Sequence, residues 1–309
     1  MHIRIISPAG NIKPKIVSSG AETLRKWGHK VSVAEHALGT YGRYSALPEE
    51  RAADIIETLN DPEIDILWAT RGGYGCMQIL DMIPVELIAK SDKPIVGYSD
   101  ITALHALWAK AGVRSLHAPM MKHLTDDPGH RTSKTLRELL DYYASHHSWP
   151  QQHNNFFPVK AKLFIAPGQG VNAEPDDASE AEKIKPVMTF VGGNLSVITG
   201  LHGTPYDFDY AGKTLFIEDI AEQPYKIDRM LQQLRLMGVF GRINPDGTID
   251  RSHAASGIVC GHFTDCPDDP TMPANIWDNI RWILQPYGIP LWLGAPIGHE
   301  LENYPVIVG

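Results

Sequence analysis

Between Pro94 and Trp108 the chain makes a transition that few folds accommodate. Pro94-Ile95-Val96-Gly97-Tyr98-Ser99-Asp100 carries an apolar run into a glycine-flanked serine, and Asp100-Ile101-Thr102-Ala103-Leu104-His105-Ala106-Leu107-Trp108 then reads as a helix. A serine on a sharp strand-to-helix turn is pushed clear of its sheet. The N–H of the next residue, Asp100, then lies at a helix N-terminus, where it can stabilise an oxyanion. The second glycine of a Gly-x-Ser-x-Gly pattern is missing, with Ile101 in its place. On these residues alone Ser99 is either a nucleophile or, like Asp100, an N-cap of the kind that strand-to-helix junctions need anyway.

A second glycine loop follows another apolar run. Ile64-Asp65-Ile66-Leu67-Trp68-Ala69-Thr70 reads as a buried strand and leads into Arg71-Gly72-Gly73-Tyr74-Gly75. Three glycines in five residues indicate a backbone that takes up positive φ or approaches another group closely. Beside the Ser99 turn, such a loop could offer a second oxyanion donor from the N–H of Gly73; an ordinary tight strand-to-helix connection would need the same glycines.

The first half of the chain repeats this alternation. Strands are expected at Ile3 to Ile6, Lys30 to Val33, Ile64 to Ala69, Ile95 to Tyr98 and Val113 to Leu116. Helices are expected near Lys15 to Trp27, Pro48 to Leu59, Gly75 to Asp81 and Asp100 to Ala111. The pattern predicts an α/β fold with a mostly parallel sheet flanked by helices, and ligands at the carboxyl ends of its strands. From about Ser145 the texture changes, first to the polar run Trp149 to Asn155. A stretch rich in Pro, Gly and acid follows, from Ala166 through Glu174-Pro175-Asp176-Asp177 to Glu182, and reads as a solvated, exposed loop. At 309 residues the chain exceeds what one core usually serves. The expected organisation is an N-terminal α/β domain over 1–148, a linker and loop over 149–186, and a smaller α+β or β-rich domain over 187–309. The last has strands at Thr214 to Ile217 and Gly257 to Val259 and helices at Leu195 to Leu201 and Gln223 to Met237.

Composition excludes some functions. The chain is 43% hydrophobic and 21% charged, with a net charge of −8. That balance argues against nucleic acid or an anionic membrane as a partner, because such binding needs clustered Lys and Arg. The apolar stretch at Met1 to Ile6 is much shorter than a secretory signal and passes directly into a strand pattern, and no run is long enough to span a bilayer, so a cytoplasmic protein is expected. Cys76, Cys260 and Cys266 are too few and too unevenly spaced for a disulfide framework.

Four stretches together resemble the LD-carboxypeptidase family of serine peptidases, which trim tetrapeptides in peptidoglycan recycling. They are Ile6-Ser7-Pro8-Ala9-Gly10, Arg71-Gly72-Gly73-Tyr74-Gly75, Gly97-Tyr98-Ser99-Asp100-Ile101-Thr102-Ala103, and a C-terminal set containing Val191-Gly192-Gly193-Asn194-Leu195, Ile217-Glu218-Asp219 and Gly298-His299-Glu300. They occur in the family's order over nearly the whole chain. The resemblance implies that Ser99, Glu218 and His299 are nucleophile, acid and base. It also implies a muropeptide tetrapeptide as substrate, cleaved between the L-centre of a diamino acid and a terminal D-Ala, with no cofactor and no metal, and it leaves room for a homodimer. Ala9 stands where the family pattern has a hydroxyl residue. A further strand or two is expected beyond Asn303-Tyr304-Pro305-Val306.

Read without that resemblance, the residues leave several choices open. Glu218 and Asp219 are neighbours on a strand and point to opposite faces, so only one enters a given cleft; the other is free to bond backbone amides. Among fourteen histidines, His299 stands out for following Gly294-Ala295-Pro296-Ile297-Gly298, a loop after the apolar strand Pro290 to Leu293. The substrate that the resemblance implies carries several carboxylates, onto which Arg71 and Arg229 could fork, although ion pairing at the surface would suit each equally. Cys260, His262, Asp265 and Cys266 match no usual zinc spacing. Cys76 lacks the glycine two places on that a cysteine elbow needs, so a half-buried helix cysteine is expected. With the roles that the resemblance implies, the expected chemistry is acyl transfer to Ser99 with His299 as base, Glu218 orienting it, and the N–H groups of Asp100 and Gly73 as the oxyanion hole. The alternatives are an immunity-type relative that cleaves peptidyl or aminoacyl nucleotide amides with the same triad, and a non-catalytic protein whose two lobes bind a small ligand.

Overall fold

The computed structural model describes residues 1–125, 127, 130–151, 186–187 and 189–309, together with the backbone of 162–165. They divide into two compact units. One is Met1–Gln151 with Gly203–Asp207 and Leu301–Gly309, and the other is Gln152–His202 with Phe208–Glu300. The polar run expected from Trp149 is described as far as Gln151. The acidic stretch Glu174 to Glu182 lies outside the described residues.

The first unit runs β1 (His2–Ile6), α1 (Pro14–Lys26), β2 (Lys30–Val33), α2 (Pro48–Asn60), β3 (Ile66–Ala69), α3 (Val85–Ser91), β4 (Ile95–Gly97), α4 (Thr102–Lys110), β5 (Ser115–His117) and α5 (Arg131–His146). Its strands lie in the order β2-β1-β3-β4-β5, paired in parallel, and the terminal strand Val306–Val308 adds antiparallel to β5. Central strands of a parallel sheet are covered on both faces, which is why Ile66, Leu67, Trp68 and Ala69 of β3 are all fully buried while the edge strand β2 is not. α1 and α2 both open with a proline, whose fixed φ suits the first helical position and whose missing N–H would have no partner there. The helix expected from Gly75 is a 3-10 segment, Cys76–Met82. α3 and α5 were not anticipated, although α5 carries a regular stripe of Leu136, Leu139, Leu140 and Tyr143 that it buries.

Strand order decides where a ligand can sit. The arrangement 2-1-3-4-5 reverses direction between β1 and β3, and in such sheets the crevice lies beyond the carboxyl ends of those two strands. The loops that leave them are Ser7–Gly10 and Arg71–Gly75. They are tied together by Gly10 N–H donating to Gly72 O at 3.2 Å.

The second unit runs β6 (Lys162–Ile165), β7 (Phe190–Asn194), α6 (Leu195–Leu201), β8 (Thr214–Ile220), α7 (Pro224–Met237), β9 (Arg242–Ile243), β10 (Ile249–Asp250), β11 (Gly257–Thr264), α8 (Ile276–Leu284) and β12 (Leu291–Leu293). This unit too is built on a mostly parallel sheet. The order is β7-β8-β11-β12-β6, with only β6 antiparallel to its neighbour, and β9 and β10 form a separate ladder. Gly192 sits in β7 with φ of +126°, and a Cβ there would stand 2.1 Å from Phe216 O on β8, so any side chain would force the two strands apart. No helix among the described residues is long and apolar enough to cross a membrane.

Candidate active site

In the first unit β4 ends at Gly97, and Ser99 opens a single 3-10 turn, Ser99–Ile101, that runs into α4. Ser99 has φ of +65°, a left-handed conformation that costs a non-glycine residue about 1–2 kcal/mol. The strain has a local cause. A Cβ on Gly97 would lie 2.8 Å from Ile101 Cγ1 and 3.1 Å from Ala69 Cβ, so the turn folds tightly over the strand end only because residue 97 is glycine. Neither Ser99 nor Asp100 caps a helix with its side chain. The Asp100 carboxylate instead accepts the N–H of Cys76 at 2.9 Å.

The second glycine loop meets this turn directly. A Cβ on Gly72 would fall 2.8 Å from Ser99 Cβ, 2.9 Å from Ser99 Oγ and 3.1 Å from the Asp100 nitrogen. Gly72 is thus the residue that lets the loop reach the serine, a role not assigned to it from sequence. Gly73 follows with φ of +114° and is exposed.

His105, on α4 and completely buried, braces the turn from below. Its Nε2 lies 2.9 Å from Gly97 O and its Nδ1 2.8 Å from Ser115 Oγ. A carbonyl only accepts, so Nε2 carries the hydrogen and Nδ1 accepts from the serine hydroxyl. Burial pushes the ring's pKa down to about 4. Between that value and the ordinary one near 6.5 the unfolded chain binds more protons, so this group's contribution to stability is lost as pH falls from about 6.5 to about 4. The loss approaches 3 kcal/mol. Urea unfolding at pH 7 and pH 4.5 is expected to show that drop in the wild type and a flatter dependence in His105→Gln; equal slopes would contradict it.

In the second unit β8 places Glu218 and Asp219 side by side, both buried. Glu218 Oε2 lies 2.8 Å from His299 Nδ1. Since the carboxylate accepts, Nδ1 donates, and the basic lone pair of the neutral ring is on Nε2. The glycine before the histidine makes this possible. Gly298 has φ of +127°, and a Cβ there would crowd Glu218 Cβ and Oε2, each at 3.2 Å. The other Glu218 oxygen, Oε1, has no hydrogen-bond partner among the described residues.

Asp219 is turned the other way. Its Oδ1 accepts from Asn194 Nδ2 at 2.9 Å and from Ile220 N–H at 2.8 Å, and its Oδ2 accepts from Ser196 N–H at 3.0 Å. Burial pushes its pKa up to about 6, and these donors pull against that shift. Asn194 caps α6 with its own side-chain oxygen. The carboxylate therefore ties β8 to the start of α6.

The remaining candidates are placed as follows. Arg71 is exposed and donates from Nη1 to Asn11 O at 3.1 Å. Arg229, exposed on α7, stacks over the Tyr225 ring at 5.8 Å. Cys76 is completely buried rather than half-buried, because the 3-10 segment turns it inward, and burial raises its thiol well above the ordinary range, which removes nucleophilic character. Cys260 is buried in β11, while Cys266 donates to Thr264 O. Among the described residues no three His, Cys, Asp or Glu side chains are grouped to hold a metal ion. Glu300 accepts from Thr264 Oγ1 at 3.0 Å.

The first unit thus holds a strained serine at a strand end, and the second a histidine held by a buried carboxylate; these are residue types that serine hydrolases use. Residues 3–118 match the N-terminal domain, and residues 189–309 the C-terminal domain, of the LD-carboxypeptidases. The chain belongs to that family and is a carboxypeptidase of the serine type. It is 29% identical to a probable murein peptide carboxypeptidase of Bacillus subtilis over 99% of this chain and 86% of that one. It is 26% identical to the murein tetrapeptide carboxypeptidase of Pseudomonas aeruginosa over 97% and 89%. Among solved structures it resembles muramoyltetrapeptide carboxypeptidase from Oxalobacter formigenes, with a TM-score of 0.75, 25% identity and coverage of 100% and 93%. It shares the fold of the microcin C7 self immunity protein MccF, solved with aspartyl sulfamoyl adenosine, with a TM-score of 0.73, 20% identity and coverage of 100% and 91%.

Proposed function

We propose that this protein hydrolyses the L,D-peptide bond to the terminal D-Ala of a muropeptide tetrapeptide, in the cytoplasm and as part of peptidoglycan recycling, with Ser99, His299 and Glu218 as its triad. The observation that carries this reading is the buried Glu218 carboxylate held against His299 Nδ1, which sets up the ring as a base at Nε2. The relatives named for murein peptides supply the substrate class. His299 takes the proton of Ser99 as the serine oxygen attacks the carbonyl, and Glu218 stabilises the imidazolium. The N–H groups of Asp100 and Gly73 receive the oxyanion, each worth roughly 3 kcal/mol of barrier reduction. The imidazolium then protonates the departing amine of D-Ala. Water, deprotonated by the same histidine, releases the tripeptide acid and restores Ser99. Arg71 and Arg229 are proposed to meet substrate carboxylates, and the assembly is proposed to be a homodimer without nucleic-acid or membrane partners.

The purified chain is to be assayed against a muropeptide tetrapeptide, an all-L control peptide and an aminoacyl sulfamoyl adenylate. Release of D-Ala from the first alone, undiminished in excess EDTA, is the expected result. Turnover of the adenylate alone would move the chain to the immunity-type chemistry. No turnover of any of the three by a chain that binds the tetrapeptide would make it a binding protein. Loss of activity on chelation with recovery on added zinc would replace the triad by a metal mechanism.

A further inference from the structure

Two buried charged side chains stand behind the glycine loop of the first unit, and the acyl-transfer scheme uses neither. Arg51 of α2 is 1% exposed and Asp100 is 4% exposed. Arg51 donates from Nη1 to Pro8 O at 2.6 Å and to Gly75 O at 2.9 Å. It also donates from Nε to Ala46 O at 3.2 Å and from Nη2 to Gln78 Oε1 at 2.7 Å. Its guanidinium lies over the Tyr44 ring at 5.1 Å. Asp100 Oδ2 accepts from Cys76 N–H at 2.9 Å.

Gly75 O and Cys76 N–H belong to one peptide group. The cation grips its oxygen and the anion grips its hydrogen, so the peptide dipole lies between opposite charges and its orientation is held at both ends. Glycine is needed for this grip. Gly75 has φ of +142°, and a Cβ there would stand 2.6 Å from Arg51 Nη1. Keeping both groups charged is costly, since burial pushes the Asp100 carboxyl up and the Arg51 guanidinium down. A loop whose only task was to join two elements would not need that cost.

The gripped peptide closes the loop that begins with Gly72, which lies against Ser99 and against the Asp100 nitrogen. Arg51 reaches the loop after β1 through Pro8 O, and Gly10 N–H ties that loop to Gly72 O at 3.2 Å. We propose that Arg51 and Asp100 form a positioning clamp on the Gly75–Cys76 peptide that fixes the glycine loop against Ser99 and so sets the rate of Ser99 acylation rather than the affinity for substrate. The Asp100 side chain thereby couples the loop to the very turn that carries its own N–H. The proposal rests on Ser99 being the nucleophile.

The test uses the full chain, a fluorophosphonate probe that phosphonylates activated serines, and steady-state hydrolysis of the tetrapeptide. Labelling of wild type at Ser99, absent in Ser99→Ala, establishes the nucleophile; if neither labelling nor hydrolysis depends on Ser99, the functional reading falls and the clamp falls with it. Given that dependence, Asp100→Ala is expected to lower both the labelling rate and kcat by about 10²–10³-fold, as for loss of an oxyanion donor, with KM changed less than threefold. Asp100→Asn retains an oxygen for Cys76 N–H and is expected to stay within tenfold of wild type. Arg51→Lys keeps the charge but loses the fork, and is expected to label at least tenfold more slowly at unchanged KM. Wild-type labelling rates in Arg51→Lys would overturn the clamp, and that variant decides alone if Asp100→Ala does not fold. Equal losses in Asp100→Asn and Asp100→Ala, tracking only the unfolded fraction seen by circular dichroism, would also overturn it.

Discussion

Replacing Ser99 by alanine is expected to lower kcat by about five to six orders of magnitude, because the members of a triad act as a unit and what remains comes from binding and the oxyanion donors alone. Stability should hardly change. The hydroxyl leaves, but the left-handed backbone at φ of +65° remains, as does the glycine loop packed so near residue 99 that Gly72 has no room for a Cβ. Ser99→Gly makes the backbone contribution measurable. Without a Cβ it is expected to be as inactive as the alanine variant yet about 1 kcal/mol more stable, since glycine takes up that conformation without the steric penalty. Turnover of the tetrapeptide and urea unfolding of both variants check the pair. Retention of more than about a tenth of wild-type kcat in Ser99→Ala would falsify the assignment of the nucleophile.

The second large effect separates the two adjacent acids. Glu218→Gln is expected to reduce kcat by about 10⁴-fold, because an amide can donate to His299 Nδ1, favours the wrong tautomer and cannot stabilise an imidazolium. Asp219→Asn acts elsewhere. Its carboxylate is surrounded by the donors Asn194 Nδ2, Ile220 N–H and Ser196 N–H, so an amide nitrogen must face a donor. That variant should lose about 1–2 kcal/mol of stability, a fall in Tm of several degrees, with kcat reduced less than tenfold. The carboxyl's pKa near 6 moderates the loss. Raised above its unfolded value, it disfavours the folded state as pH rises from about 4 to 6, and the neutral amide escapes that penalty. A variant Asp219→Asn that is inactive at unchanged Tm, beside an active Glu218→Gln, would reverse the roles. Full activity in both would send the search to Glu300.

Much of the first unit was legible because it is built from short-range patterns. The buried parallel strands, the proline-started helices and the serine turn depend on residues adjacent in sequence, and the glycines of the Arg71–Gly75 loop stood out as positions of positive φ or close approach, while what Gly72, Gly75 and Gly97 each meet is decided by the fold. The amphipathic α5 is equally visible in the spacing of its leucines. Arg51 and His105 carried no such mark. An arginine in the first turns of a surface-patterned helix and a histidine in an apolar one read as incidental until the fold shows the carbonyls they hold.

By itself, then, the sequence determined an α/β chain with a strained serine at the end of a strand and a histidine after a glycine in a late loop, because sterics between near neighbours decide both. The choice between Glu218 and Asp219 was beyond it, and came from family resemblance rather than from the residues. Tertiary structure supplied the physical reason. Glu218 and His299 are 81 residues apart, and which of two neighbouring side chains meets the histidine depends on the face of β8 that the Gly298 loop is folded against. The same holds for the peptide between Arg51 and Asp100. Opposite charges from α2 and from the turn after β4 converge on it only once the sheet order 2-1-3-4-5 has brought the loops after β1, β3 and β4 together.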